Sequence, residues 1–284
     1  MIEALCKATE TDHADTDPHP YGRPRGHTLL HFVMPPLTHT HLRAVNPVAR
    51  KDSCEHCRLH AVCVPAGLDA GERDEFIGLV FQHKRLAMGE RLYRAGEAFT
   101  HLYFVKTGAF KSVMMLHDGR EQITGFHLAG DSLGIDAIGA STHPSEAVAL
   151  EDAWVCAVPY QSLMQLSRRA EPVQGYVQSL LSRELVRDQG VMVLLGRMQA
   201  DERVAAFLIN FAQRFKTRGQ SPNEFILPMA REDIGNYLGL TLETVSRCLS
   251  RLKKAGLIEV NNRQLHILDH AGLEQVIGAG QNHD

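Results

Sequence analysis

The sequence predicts an α+β protein built from a jelly-roll β domain, a long dimerisation helix and a C-terminal winged helix-turn-helix. Three observations carry this expectation. Short strand-like runs broken by glycine turns fill residues 84–159, an apolar stripe at helical spacing runs from just after Pro172 to about Met198, and a helix–glycine–helix unit at 231–254 precedes a hairpin pattern. A chain of 284 residues, at ~100–200 residues per domain, predicts two domains plus extensions. The expected layout is an N-terminal extension at 1–50, a cysteine loop with the jelly roll at 51–171, the dimerisation helix at 172–199 and the winged helix-turn-helix at 200–284.

The β domain follows from rhythm. Leu102–Lys106, Phe110–Leu116, Gln122–His127 and Trp154–Pro159 are strand-like, with turn signals at Gly96, Thr107–Gly108, Asp118–Gly119 and Gly130–Asp131. Short strands at such spacing predict an antiparallel barrel or double-sheet roll. Before it, residues 1–50 carry Pro18, Pro20, Pro24, Pro35, Pro36 and Pro47 among many histidines, with no helical or strand period, and predict a flexible extension. Scattered histidines there are expected to be solvated.

Along the long helix, Val173, Val177, Leu180, Leu181, Leu185, Met192 and Leu195 share one stripe. A helix of ~40 Å between two compact domains has little to pack on in a monomer, which points to a two-fold helical dimer. The plainer reading is a core helix of one domain. Asp188, three residues after Leu185 and four before Met192, falls in the seam. Two desolvated carboxylates oppose association, so Leu185, Asp188 and Met192 form a candidate dimer switch. A solvent-facing Asp188, or one paired with Arg183 or Arg187, is the alternative.

In the C-terminal part, Ala200–Phe215 is a helix with Val204, Phe207, Leu208 and Phe211 on one face, followed by a loop at Ser221–Pro222. Arg231–Leu238 is a short helix, Gly239 supplies a tight turn, and Thr241 is a suitable N-cap for a second helix ending near Ala255 before Gly256. Val245, Leu249 and Leu252 form its packing face. Glu243, Ser246 and Arg247 lie on another, continued by Arg251 and Lys254. Glu accepts from cytosine N4, Arg pairs with guanine, and the later cations suit phosphates, so this face is a candidate DNA reader. Leu257–Val260 and Gln264–Leu268 around Asn261–Asn262 predict the wing. Cys248, between packing residues, is expected to be a small buried hydrophobe.

Composition limits the alternatives. With 44% hydrophobic and 22% charged residues and a net charge of -3, nucleic-acid contact must come from a local basic patch. No apolar run reaches a membrane span and no leader pattern opens the chain, so a cytoplasmic location is expected. A Gly-rich phosphate loop, a nucleophile elbow and an H-E-x-x-H pattern are all missing, which argues against an enzyme.

Cys54, Cys57 and Cys63 follow a C-x2-C-x5-C spacing that suits metal ligation in a reducing compartment. Three thiolates leave zinc, completed by His56 or His60, and an iron–sulfur cluster both open. Cys156, in a strand, is the candidate fourth ligand. Taken alone, its plainer role is core.

These residues resemble the FNR subgroup of the CRP/FNR regulators, oxygen-sensing transcription factors that carry a 4Fe-4S cluster. The likeness covers about Ser53 to Gly272 and rests on the cysteine spacing, on residues 121–131, on Val155–Cys156 and on residues 233–247. It implies a jelly-roll sensory domain, a dimerisation helix and a winged helix-turn-helix. It further implies cluster ligation by Cys54, Cys57, Cys63 and Cys156, and reading of a palindromic TTGAT-type site in double-stranded DNA by Glu243, Ser246 and Arg247. Asp188 matches the interface aspartate whose repulsion keeps the cluster-free form monomeric. A homodimer when cluster-loaded, with RNA polymerase as protein partner, is the expected active state. The family's nucleotide-binding branch carries an Arg-Ser/Thr pair that is missing from His143–Ala147, so no cyclic nucleotide is expected. Structural zinc or another effector on the same fold is the alternative. Arg58 stands after Cys57 where the best-known members carry a small residue, which points to a different rate of cluster loss.

Overall fold

The computed structural model describes residues 54, 56–80 and 82–279, all within the compact unit Asn46–Asp284. The histidines of residues 1–50 and Cys6 lie outside the described residues.

Two short helices precede the β domain, α1 (His60–Cys63) and α2 (Ala70–Leu79). The second starts at a capping box, with Asp69 accepting from the Glu72 backbone and Glu72 accepting from that of Asp69. Eight strands follow: β1 (Gln82–Leu86), β2 (Arg91–Tyr93), β3 (His101–Thr107), β4 (Ala109–Met115), β5 (Glu121–Leu128), β6 (Ser132–Leu133), β7 (Glu146–Ala149) and β8 (Ala153–Pro159). They form two four-stranded sheets, ordered β1-β8-β3-β6 and β2-β7-β4-β5, which is the interleaved order of a jelly roll. The four predicted strands are present as β3, β4, β5 and β8. The edge strands β1 and β2 escaped the sequence pattern because edges tolerate charge, and the first reads Gln-His-Lys-Arg-Leu. At the β3–β4 turn Gly108 has φ +82°, and a Cβ there would stand 2.6 Å from that of Ala153, so only glycine lets the strands meet.

Helix α3 (Tyr160–Ser167) leads into α4 (Glu171–Arg197), whose Pro172 sits in the first turn where a missing N–H costs nothing. The long helix divides its stripe between two tasks. Val173, Val177 and Leu180 are buried against Leu102, Phe104 and Leu163 of the jelly roll. Leu185 and Met192 remain 58% and 64% exposed. The first half is thus a core helix, the plainer reading, while the second half leaves its apolar residues uncovered.

The C-terminal part comprises α5 (Ala200–Thr217), β9 (Glu224–Ile226), α6 (Arg231–Leu238), α7 (Leu242–Lys254), β10 (Ile258–Asn261), β11 (Gln264–Ile267) and α8 (His270–Ala279). The wing is a three-stranded sheet, β10-β11-β9, with Asn262 in the left-handed conformation at its turn, φ 55°. Val204, Phe207, Leu208 and Phe211 are buried as predicted, and they share one core with Ile123 and Phe126 of β5. Phe126 packs edge-on against Phe207 and Phe211, so the head is docked on the jelly roll.

Candidate metal centre and nucleic-acid interface

The cysteine loop is shaped by its own backbone. Cys57 N donates to the Cys54 carbonyl at 3.1 Å, His60 N to Cys57 at 2.9 Å and Cys63 N to Leu59 at 2.9 Å. The His60 ring Nδ1 lies 3.1 Å from the Cys54 carbonyl. Successive turns thereby point three thiols inward. The fourth, Cys156, arrives on β8 between His83 of β1 and Phe104 of β3. All four cysteines line one cavity whose remaining walls include Val80, Phe76, Phe104 and Val158. Burial first, then the neighbouring cysteines, push the Cys63 thiol up to about 12. Cys156 is likewise pushed up to about 12, by burial and then Cys54, with Lys106 opposing. Both thiols are therefore protonated at neutral pH, and metal ligation would release protons. Among the described residues, no three His, Cys, Asp or Glu side chains converge closely enough to hold a single metal ion.

The loop rests on the long helix. Val64 and Cys63 pack against the cluster containing Val173 and Val177, and the Tyr176 ring stacks edge-on against Phe76 at 6.1 Å. Burial, and then Cys63, raises the Tyr176 hydroxyl well above its ordinary range. Further along the same helix Asp188 is exposed, and Arg187 pairs with Glu184 at 3.1 Å. Partial burial raises the Asp188 carboxyl, Arg187 opposes, and Asp136 of the jelly roll adds repulsion.

In the head, Thr241 caps α7 by accepting from Thr244 N at 3.1 Å. Gly239 closes α6 in the left-handed region with φ +64°. Gly235 has no room for a side chain, since a Cβ would lie 2.7 Å from the Leu240 carbonyl. Val245, Cys248, Leu249 and Leu252 are buried, and Glu243 and Arg247, each about 70% exposed, pair at 2.6 Å across one turn. Ser246 Oγ accepts from Arg231 Nη1 of α6 at 3.3 Å, and Lys254 is exposed at the end of α7. Arg251 is less free than its spacing suggested. Its guanidinium donates to both carboxylate oxygens of Asp201 at 2.7–3.1 Å and to Cys248 Sγ at 3.2 Å.

Residues that periodicity missed join the head to the jelly roll. Asp131 accepts from Arg214 of α5 at 2.6 Å and from Arg218, the residue that caps the end of α5. Lys111 pairs with Asp233 at 2.7 Å, and the Asn236 side chain accepts from Ile123 N at 2.6 Å and donates to the Glu121 carbonyl at 2.8 Å. Nothing local marks these residues, because each partner lies far away in sequence.

A jelly roll joined by one long helix to a winged helix-turn-helix is the architecture of a DNA-binding transcription regulator. Comparison with known proteins is consistent with each part. A family model of the Crp-like helix-turn-helix domain matches residues 202–276, and one of the cyclic nucleotide-binding domain matches residues 83–170. The fumarate and nitrate reduction regulatory protein of Escherichia coli K12 is 42% identical over 229 residues, covering 81% of this chain and 92% of that protein. Electron transport regulator A of Shewanella oneidensis is 42% identical over 225 residues, covering 79% and 90%. Among solved structures, FixK2 from Bradyrhizobium japonicum superposes with a TM-score of 0.64 at 36% identity, covering 69% of this chain and 96% of that one. The chain belongs to the FNR subgroup of the CRP/FNR family and is a DNA-binding transcription regulator, not an enzyme. No helix among the described residues is long and apolar enough to cross a membrane.

Proposed function

We propose that this regulator is oxygen-responsive, with Cys54, Cys57, Cys63 and Cys156 as thiolate ligands of a 4Fe-4S cluster held at low oxygen. The observation that carries this reading is the convergence of four cysteines, three local and one distant, on a single apolar cavity. Thiolates are the donors such clusters take. A lone tetrahedral zinc would bring its sulfurs to about 3.8 Å from one another, given Zn–S distances of ~2.3 Å. A cluster instead gives each thiolate its own iron, and the metal content of the protein separates the two. When bound, the cluster supplies an oxygen-labile centre that fixes the loop.

The remaining steps belong to the protein. The ordered loop presses through Val64 and Tyr176 on the first turns of α4, whose exposed later turns carry Leu185, Asp188 and Met192. Two such helices pair, and Asp188 sets the balance against pairing. The dimer presents two copies of α7 to a palindrome of TTGAT type, with Arg247 on guanine, Glu243 on cytosine, Ser246 beside them, and Arg251 and Lys254 on phosphates. RNA polymerase is the protein partner and the cytoplasm the location.

No cyclic nucleotide is required. The corresponding cavity between jelly roll and α4 carries Asp136, Glu184 and Asp188, and no Arg or Lys is among the described residues lining it. Arg187 pairs with Glu184, which leaves Asp136 and Asp188 to oppose a phosphate there.

The test is an anaerobic absorbance spectrum with iron and zinc analysis, before and after air. About four irons per chain with visible absorbance that decays in air, and loss of both in Cys156→Ser, are expected. One zinc per chain, or full iron in the variant, overturns the assignment.

A further inference from the structure

The end of the long helix is tied to the reading head through one side chain. Arg203, in the first turn of α5, donates through Nε to the Met198 carbonyl at 2.8 Å and through Nη2 to the Leu195 carbonyl at 2.9 Å. Through Nη1 it donates to the Leu238 carbonyl at 3.0 Å. The first two acceptors lie at the C-terminus of α4, and the third is the last residue of α6.

Carbonyls in the last turn of a helix lack intrahelical donors, and the helix dipole makes that end negative. A half-buried guanidinium that bonds two such ends at once satisfies both. No other side chain has a planar fork of donors on two faces; lysine offers a single nitrogen. The contact continues in packing. Gly239, the turn glycine of the helix-turn-helix, sits so close that a Cβ there would lie 3.5 Å from Arg203 Nη1 and 3.6 Å from Leu195 Cδ2. Leu194 of α4 packs against the core of the head.

We propose that Arg203 is the positioning residue that fixes the angle of each reading head on its dimerisation helix, and thereby selects the spacing between the two half-sites. Two α7 helices read a palindrome only when their separation matches about one DNA turn, ~34–36 Å. Phe126, Asp131 and Asn236 dock the head on the jelly roll, and Arg203 is the side chain that ties it to the end of α4 itself. The same head held at two helix ends by Arg203 presents α7 at one angle, so the dimer tolerates one spacing. Arg203 itself touches no base. The inference rests on the dimeric, palindrome-reading function above.

The test uses the full chain reconstituted without oxygen. It is titrated onto duplexes carrying one half-site, the optimal palindrome, and palindromes shifted by about two base pairs, a rotation of roughly 70° at ~10 base pairs per turn. Sedimentation is run in parallel. Wild type is expected to prefer the optimal spacing by roughly tenfold or more, the scale of losing charge-assisted hydrogen bonds. Arg203→Gln should keep the dimer and the half-site affinity, while its spacing preference collapses to near unity. Arg203→Lys, which keeps the charge without the fork, should lose the preference too, and it decides the matter should Arg203→Gln fail to fold. A folded variant that keeps the wild-type preference overturns the proposal. So does an equal loss on half-site and every palindrome, which is the mark of a merely structural residue. A wild-type protein that never dimerises, or shows no preference for a palindrome, brings down the function proposed above and this inference with it. Wild-type selectivity retained in the variants brings down this inference alone.

Discussion

Replacing Asp131 by Asn should loosen the joint between jelly roll and reading head by several kcal/mol. The carboxylate is 13% exposed and faces Arg214 and Arg218, which are 17% and 15% exposed. Burial alone would raise its pKa. Arg214, Arg218 and then Arg187 outweigh burial, and Leu128 N donates to it, holding it at about 2. A fall from 3.8 to about 2 corresponds to roughly 2.4 kcal/mol of folded-state preference for the ionised form. Removing the charge also strands two buried guanidiniums, and breaking such a pair from one side costs about 3–5 kcal/mol, which is the expected total. The assay is urea unfolding at pH 7 followed by fluorescence of Trp154, the only tryptophan. Because the folded pKa is depressed, the contribution is full above about pH 5 and lost as pH falls through about 2. Roughly half should be gone at pH 3. The stability gap between wild type and variant should narrow accordingly. A gap under about 1 kcal/mol at pH 7, or one that stays constant down to pH 3, refutes the reasoning.

Three further outcomes are expected. His127 is fully buried against Ser112 Oγ at 2.7 Å, and burial followed by Arg187 lowers its pKa to about 3. Its contribution is therefore present above pH ~6.5 and declines by about 1.4 kcal/mol per pH unit below it. His127→Gln should flatten that limb of the stability–pH curve, and an unchanged slope would rule the residue out as its source. If Arg251 leaves Asp201 to meet a phosphate, Arg251→Ala should reduce the salt slope of DNA binding by about one. An unchanged slope with lower head stability would make it a strut between α5 and α7. Asp188→Ala should sediment as a dimer and bind the palindrome in air, and a persistent monomer would remove that residue from the switch.

How much was legible depended on how far apart the cooperating residues lie. The reading head repeats its pattern within a few turns, so Thr241, Gly239 and the face with Val245, Leu249 and Leu252 are visible in the sequence, and the structure places all of them as expected. The glycine turns were visible for the same reason, and Gly96, Gly108, Gly119 and Gly130 all take positive φ. Cys156 is a candidate only because three cysteines leave a four-ligand site open and because the family likeness points to it; alone, a cysteine in an apolar strand looks like core. Asp131 with Arg214, 83 residues apart, and Asn236 with Ile123, 113 apart, left no trace. Long-range polar pairing has no period. Spacing places Arg251 among the outward cations, and its pairing with Asp201 on another helix leaves no mark in the sequence for the same reason.

On the function proposed above, the division of the α4 stripe lets one carboxylate govern the pairing. Its later turns expose Leu181, Leu185, Val186, Met192 and Val193, each 40–64% accessible. At about 1.5–3 kcal/mol for full burial of such a side chain, covering the exposed part of these residues on two helices yields on the order of 10 kcal/mol. Association itself costs an estimated ~4–15 kcal/mol, so the pairing stands near balance before any charge is counted. Shifting that balance from one dimer in a hundred to ninety-nine takes about 5.5 kcal/mol. In the proposed dimer, two Asp188 carboxylates brought together and desolvated oppose pairing, and a cysteine loop ordered on Tyr176 acts against them. Tyr176 and Asp188 are about 18 Å apart along one rigid helix. On the function proposed above, a loop packed on one end of that helix and a carboxylate near the other act on the same pairing, and a fully buried α4 would leave no face to pair.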